Sequence, residues 1–234
     1  MNTNTLLKKI SLSEKDFEDI AEAVRKAESR TTGEIALALT AESAGYAFWE
    51  LLAAVTTSLV FLLCLVPLGP QIHLWLRSLF WGDVFWYTAV FYALCGILMS
   101  VFMYVLYNVP ALDSLIIPAG AKTAAVTGRA MRHFAESGVY CTREHSGILI
   151  FISYFEREVR IVADRGISER ISPDLWNLIS DELSEGIGKR KTKDAIVSAV
   201  ERCGDLLAEK FPADGENENE LPDGLVILEK ERWA

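Results

Sequence analysis

Two long stretches of this chain contain no Asp, Glu, Lys or Arg: Leu51 to Leu76 and Val84 to Leu112. About 20 apolar residues in helical form cross the hydrocarbon core of a bilayer, so each stretch is long enough to span one. The second, VFWYTAVFYALCGILMSVFMYVLY, is apolar on every face rather than along one stripe. That pattern belongs to a helix surrounded by lipid or by a large core. Aromatic residues fall where membrane-interface belts would lie: Phe48 and Trp49, Trp75, Trp81, Phe85 to Tyr87, then Tyr104 and Tyr107. With Asp83 marking the turn, the pattern predicts a helical hairpin over residues 48–107, with spans of about 49–69 and 84–107. A hairpin returns the chain to the side it left. Residues 1–47 and 108–234 can therefore fold together as one discontinuous domain, fastened to the lipid bilayer through its middle.

The chain has 234 residues and a net charge of −9. Some of the acidity is local, in the tract from Asp214 to Glu220. A nucleic-acid surface requires a basic face, so no nucleic-acid partner is expected. The opening MNTNTLLKKISLSEKDF lacks the apolar run of a secretory signal. Arg30 and Lys122 flank the spans closely, while the intervening loop offers only His73 and Arg77 as positive charge. The positive-inside rule then puts both flanks in the cytoplasm, making this an integral protein of the inner or plasma membrane. Cys64, Cys95, Cys141 and Cys203 have no metal-ligand spacing and fit a reducing compartment. The absence of charge within the spans argues against a carrier or channel.

The flanks read as an α/β domain. Ser11 or Ser13 caps a helix that turns Phe17, Ile20, Ala21, Val24 and Ala27 inward. Glu34 to Thr40 alternates as a strand, and the spans follow. Beyond Pro118 a helix presents Ala121, Ala125, Met131 and Phe134. Gly147 to Ser153 is continuously apolar, as expected of a strand covered on both faces. Phe155 to Glu158 reads as a turn, and Val159 to Asp164 returns as the second arm of a β-hairpin. Ser172-Pro173 opens a helix with Trp176, Ile179 and Leu183 inward. Thr192 starts the last helix, with Ile196, Val200, Cys203 and Leu207 inward, and Gly224 to Leu228 forms a short edge strand. The expected fold is a small mixed sheet with helices on both faces, interrupted by the two-helix hairpin.

Three segments carry a family resemblance: TGEIAL (Thr32 to Leu37), SGILIFISYFEREVRIVADRGI (Ser146 to Ile167) and FP…NELPD (Phe211 to Asp223). Together they resemble the TPM domain family, named for thylakoid-lumen, photosystem-repair and receptor-auxiliary proteins. The likeness is greatest to its bacterial short membrane proteins, whose spans interrupt the domain after the first strand. It covers Leu12 to about Leu228 apart from the spans. The resemblance implies an α/β/α fold, a tendency to bind divalent cations, and either an accessory role in membrane complexes or an acid phosphatase activity.

Chain direction sorts the polar residues into two ends. Glu34, Glu144 and Asp164 are expected at the rim where the first strand begins, joined by Glu220 and Asp223 if the last strand starts there. Such carboxylates suit a hard cation, Ca²⁺ or Mg²⁺, although as a group they read more readily as solvated loop acids. In an enzyme, Asp164 would serve as ligand or nucleophile and His145 as acid. The segment GIGKRKTK fails the P-loop template, which needs Gly where Leu183 stands, so no nucleotide or organic cofactor is expected. Lys189, Arg190, Lys191 and Arg157 are expected at the opposite end, against anionic headgroups. Two functions remain open: a non-catalytic, cation-binding accessory docked on an unidentified membrane protein, and a metal-assisted phosphatase.

Overall fold

The computed structural model describes residues 3–80, 86–109, 112, 115–142, 145–213 and 221–229. It divides into two units: Met1–Gly45 with Gly120–Ala234, and Tyr46–Ala119.

The first unit is built on four strands: β1 (Glu34–Thr40), β2 (Gly147–Ser153), β3 (Glu158–Ala163) and β4 (Leu225–Leu228), in the order β3-β2-β1-β4. β1 pairs in parallel with β2 and with β4, and β2 pairs antiparallel with β3. Every residue of β2 is buried, because helices cover both faces of the sheet. On one face Ile35, Leu37 and Leu39 join Ile148, Ile150 and Ile152 beneath several helices. These are α1 (Thr3–Ile10), α2 (Glu14–Glu28), α8 (Pro173–Gly188) and α9 (Thr192–Lys210). On the other face α6 (Ala119–Glu136) packs Val126 and Ala130 on Ala38, Leu149 and Phe151. A short helix α7 (Arg165–Ser168) follows β3 directly.

Local sequence explains most of these elements. The Asp16 carboxylate accepts from both the backbone N and the Oγ of Ser13, each at 2.7 Å, which starts α2. Ser172 Oγ accepts from Asp174 N, and Pro173 takes the first turn of α8, where its missing N–H costs nothing. Three details differ from the sequence reading. α1 is a helix with Leu6 and Ile10 buried, although its eight residues carry little periodic signal. In α2 Ala23 is buried along with the expected Ala27, while Ala21 is half-buried. The inward stripe of α6 is Val126, Ala130 and Phe134, and Met131, about 100° round the helix from Ala130, is exposed. Gly128 of α6 faces open space, with no atom within 4 Å of an added Cβ. Gly128→Ala should therefore stabilise the helix by about 0.5–1 kcal/mol, read as a small rise in Tm.

The second unit holds α3 (Ala47–Leu65), a 3₁₀ turn (Val66–Leu68), α4 (Gly69–Leu79) and α5 (Trp86–Tyr107). Ala47–Leu79 and Trp86–Tyr107 are both long and apolar enough to cross a membrane. Their contacts pair Thr57 with Tyr107, Ser58 with the Gly96 carbonyl, Tyr92 with the Leu65 carbonyl, and His73 with Thr88. Ascending positions meet descending ones, so the two runs are antiparallel. The first run extends beyond the expected limit near residue 69. Pro67 and Pro70 each fall in the first turn of a helical segment, where proline bends the path without ending it. Consequently His73 and Arg77, expected in a loop, lie on α4. The expected turn at Asp83, with Trp81 and Phe85, lies outside the described residues.

Candidate functional site

Register fixes which acids share an end of the sheet. Glu34 of β1 lies opposite Gly147 of β2, Ile148 opposite Ala163 of β3, and Leu37 opposite Leu225 of β4. Glu34, Asp164 and Asp223 thus stand at the rim where the three parallel strands begin. Glu144 and Glu220 lie outside the described residues.

The rim contains two separate groups. Asp164 is the N-cap of α7: its Oδ1 accepts from Arg165 N at 2.6 Å. Its backbone N donates to the Gly147 carbonyl at 2.9 Å, which anchors the turn to β2. Its Oδ2 stands 3.3 Å from His145 Nδ1, and His145 holds a left-handed backbone with φ of 52°. Asp164 is largely buried and His145 exposed. Together with Tyr140, Arg165, Gly166 and Glu169 they line a surface pocket of about 550 Å³. Arg165 Nε donates to Glu169 Oε1 at 2.9 Å, so the lining carries a cation beside two carboxylates.

Glu34 and Asp223 belong to the second group, completed by Glu28 at the end of α2. Glu28 is buried, and its Oε1 accepts from Ile35 N at 2.8 Å. Burial pushes its carboxyl up to about 8; the bond from Ile35 N opposes this, and the like charges of Glu34 and Asp223 add to it. Asp223 also faces Arg25 at 3.6 Å. Sequence reasoning missed Glu28, although a signal existed: an acid continues the buried stripe Ile20, Val24, Ala27 at helical spacing.

The donor chemistry, all carboxylate oxygen, suits Ca²⁺ or Mg²⁺. The arrangement is incomplete for a closed cage. Among the described residues no three His, Cys, Asp or Glu side chains are placed to hold a metal ion. In the inner group burial and the neighbouring acids instead favour a proton on Glu28 at neutral pH.

The basic residues occupy the other end of the sheet. Arg157 sits in the β2–β3 turn with φ of 55°, and its carbonyl accepts from Ser184 Oγ near the end of α8. Lys189, Arg190 and Lys191 form the three-residue link to α9, Arg190 turning left-handed at φ of 60°. Gly186 lies inside α8, where its missing Cβ admits Ala195 of α9. Trp176 is a core residue, as its spacing predicts.

These two ends frame an α/β/α sheet whose first two strands are separated by an apolar hairpin. A family model for the TPM domain matches residues 111–206. Residues 111–206 are thus similar to the TPM domain. The NMR structure of BA42 from the psychrophilic bacterium Bizionia argentinensis is similar in fold. It aligns with a TM-score of 0.54 and 18% identity, covering 92% of this chain and 94% of BA42. No curated protein matches the chain. The TPM match spans α6, β2, β3 and α8 and most of α9, and so includes Asp164, Arg157 and the 189–191 link.

Proposed function

We propose that this TPM-like domain is a membrane-fastened accessory module that binds a divalent cation at its strand-start rim and docks on a membrane protein. One observation carries the reading: β1 and β2, hydrogen-bonded neighbours along their full length, bracket the apolar hairpin. The parallel pairing leaves α6 to carry the chain back along the sheet, and Thr123 in its first turns bonds Glu158 at the end where β1 stops. The chain therefore leaves and re-enters the domain at one end, and the insertion fastens the domain rather than extending it. In this reading the hairpin crosses the inner or plasma membrane, and both flanks lie in the cytoplasm. A reporter fused after Ala234 should behave as cytoplasmic, and a periplasmic signal would reverse the orientation.

Ca²⁺ or Mg²⁺ would be held by Glu34 and Asp223, or by Asp164 at the pocket, and Glu144 lies in sequence beside that pocket. A cation arriving at the inner group would displace the Glu28 proton and relieve the repulsion among three carboxylates. Melting of the detergent-solubilised full chain tests this. A ligand bound only by the folded state stabilises by RT ln(1 + [L]/Kd), so millimolar cation over a micromolar site contributes about 4 kcal/mol. A shift abolished by Asp223→Asn assigns the cation to the inner group; one abolished by Asp164→Ala assigns it to the pocket. No shift with either cation removes cation binding from the proposal.

A phosphatase reading is favoured by the pocket, where His145, Asp164 and Arg165 converge. There Arg165 would hold a phosphoryl group, Asp164 would attack or ligate, and His145 would supply a proton. Turnover of an aryl phosphate by the purified chain, lost in Asp164→Ala, would establish it. Activity that survives that change would eliminate it.

A further inference from the structure

Three segments that are remote in sequence build one basic face on the domain, and the structure shows what ties them together. Thr192 Oγ1 donates to the Ile10 carbonyl at 2.6 Å, so the last turn of α1, with Lys8 and Lys9, sits beside the 189–191 link. Lys191 N donates back to the Gly186 carbonyl at 3.0 Å, folding the link against the end of α8. Ser184 Oγ of α8 donates to the Arg157 carbonyl at 3.2 Å, which adds the β2–β3 turn. Lys8, Lys9, Arg157, Lys189, Arg190 and Lys191 are all exposed.

The acids at this end are largely engaged. Glu185 pairs with Lys189 at 2.6 Å, and Glu158 pairs with Arg160. Glu156 accepts from Ser43 N at 2.9 Å and from Ser153 Oγ, joining the loop after β1 to the β2–β3 turn. This last contact also locates the face within the domain. Ser43 lies two residues before the chain leaves the domain at Gly45. Re-entry is at the same end: Thr123 Oγ1, in the first turns of α6, donates to Glu158 Oε2 at 3.1 Å. Both strands of chain leading to the hairpin thus emerge at the end of the sheet that carries the basic face.

We infer that this face, with Lys8 and Lys9 of α1 as part of it, binds the anionic headgroups of the bilayer crossed by the hairpin. The inference rests on the membrane reading above. Connectivity selects lipid over an acidic protein, because it ties this end of the domain to whatever the hairpin enters. Lys/Arg clusters next to a membrane span are attracted to anionic lipid, and the attraction fades within a Debye length as salt rises.

The test uses the full chain in nanodiscs of phosphatidylcholine alone or of phosphatidylcholine with phosphatidylglycerol. Acylation of individual lysines by an amine-reactive reagent is followed by peptide mass spectrometry. Lys8, Lys9, Lys189 and Lys191 should label about five-fold more slowly in the anionic discs, the factor by which such a surface holds each nearby basic residue. High salt should abolish the difference. Lys26, near the opposite rim on α2, should label alike in both. In the variant Lys189→Glu/Arg190→Glu/Lys191→Glu, the protection of Lys8 and Lys9 should disappear. Equal labelling in the two discs overturns the inference in favour of an acidic protein partner, and equal protection of Lys26 overturns it as non-specific. Retention of the chain by membranes under alkaline extraction separates the two readings: a retained chain with unprotected lysines leaves the hairpin anchor standing, and a released chain overturns both.

Discussion

The folded domain is expected to lose stability as pH rises from about 4.5 to about 8, opposite to the behaviour of an ordinary surface carboxylate. The cause is Glu28, whose proton is held in the fold up to about 8 and released near 4.5 once the chain unfolds. Between those values the native state binds the extra proton, so the slope of unfolding free energy against pH is negative. The contribution is intact below about 4.5 and gone above about 8. A tenfold difference in proton affinity is worth about 1.4 kcal/mol, so the whole effect, spread from 4.5 to about 8, is on the order of 5 kcal/mol. His133 acts in the opposite sense: burial chiefly, with Arg129 nearby, lowers its proton affinity below the usual histidine value. Its contribution therefore changes below about 6.5 and is common to the wild type and Glu28→Gln, so the difference between the two profiles isolates Glu28. Melts should be run in chelator, so that no cation competes for the same carboxylates. Glu28→Gln keeps an oxygen for Ile35 N and removes the charge. That variant should match the wild type near pH 5, melt higher near pH 9, and show a flattened profile. A variant profile that falls in parallel with the wild type would assign the pH dependence to another group.

Gly147→Ala is expected to cost about 3 kcal/mol or more, which for a chain of this size lowers Tm by roughly 10 °C. The added Cβ would lie 2.2 Å from the Val139 carbonyl oxygen and 2.8 Å from Val139 Cγ1. Backbone cannot swing aside as a long side chain can. Either the 3₁₀ turn at Val139–Cys141 moves outward or β2 separates from its neighbours, and β2 is covered on both faces. Movement of that turn displaces Tyr140, and Gly147 also accepts from Asp164 N, so the pocket should loosen with the fold. Gly128→Ala is the matched control, the same change where an added Cβ meets nothing. Equal melting temperatures for the two variants would mean that the close approach of Val139 is not rigid.

Elements governed by neighbours along the chain are legible in the residues themselves. The run GILIFIS has no polar side chain to turn to solvent before its final Ser, so a strand covered on both faces is the arrangement that suits it. Ser13 with Asp16, and Ser172 with Pro173, satisfy helix-start donors locally and so mark helix boundaries. The TPM resemblance rests on such runs, and the family match covers the stretch from α6 to α9. The phase of α6 is not legible in the same way. Its apolar residues are small and scattered, and the inward set is chosen by Ala36 and Ala38 of β1, which leave room for Val126, Ala130 and Phe134.

The candidate site divides the same way. The placement of Glu34, Asp164 and Asp223 at one rim follows from strand direction, which the order of elements implies. The separation of that rim into an inner group and a pocket does not follow from it. Burial of Glu28 beside Glu34 and Asp223 needs α2, β1 and the approach to β4 to meet, and the proton it holds is a property of that meeting. The basic face likewise exists only because Thr192 and Ser184 bring Ile10 and Arg157 to the ends of the same helices. By itself the sequence determined where the chain is apolar, where its helices start and which strands are covered, because hydrophobic periodicity and capping act over a few residues. The tertiary structure alone decided which charges face one another, because electrostatic environment depends on distances through space between segments that the sheet brings together.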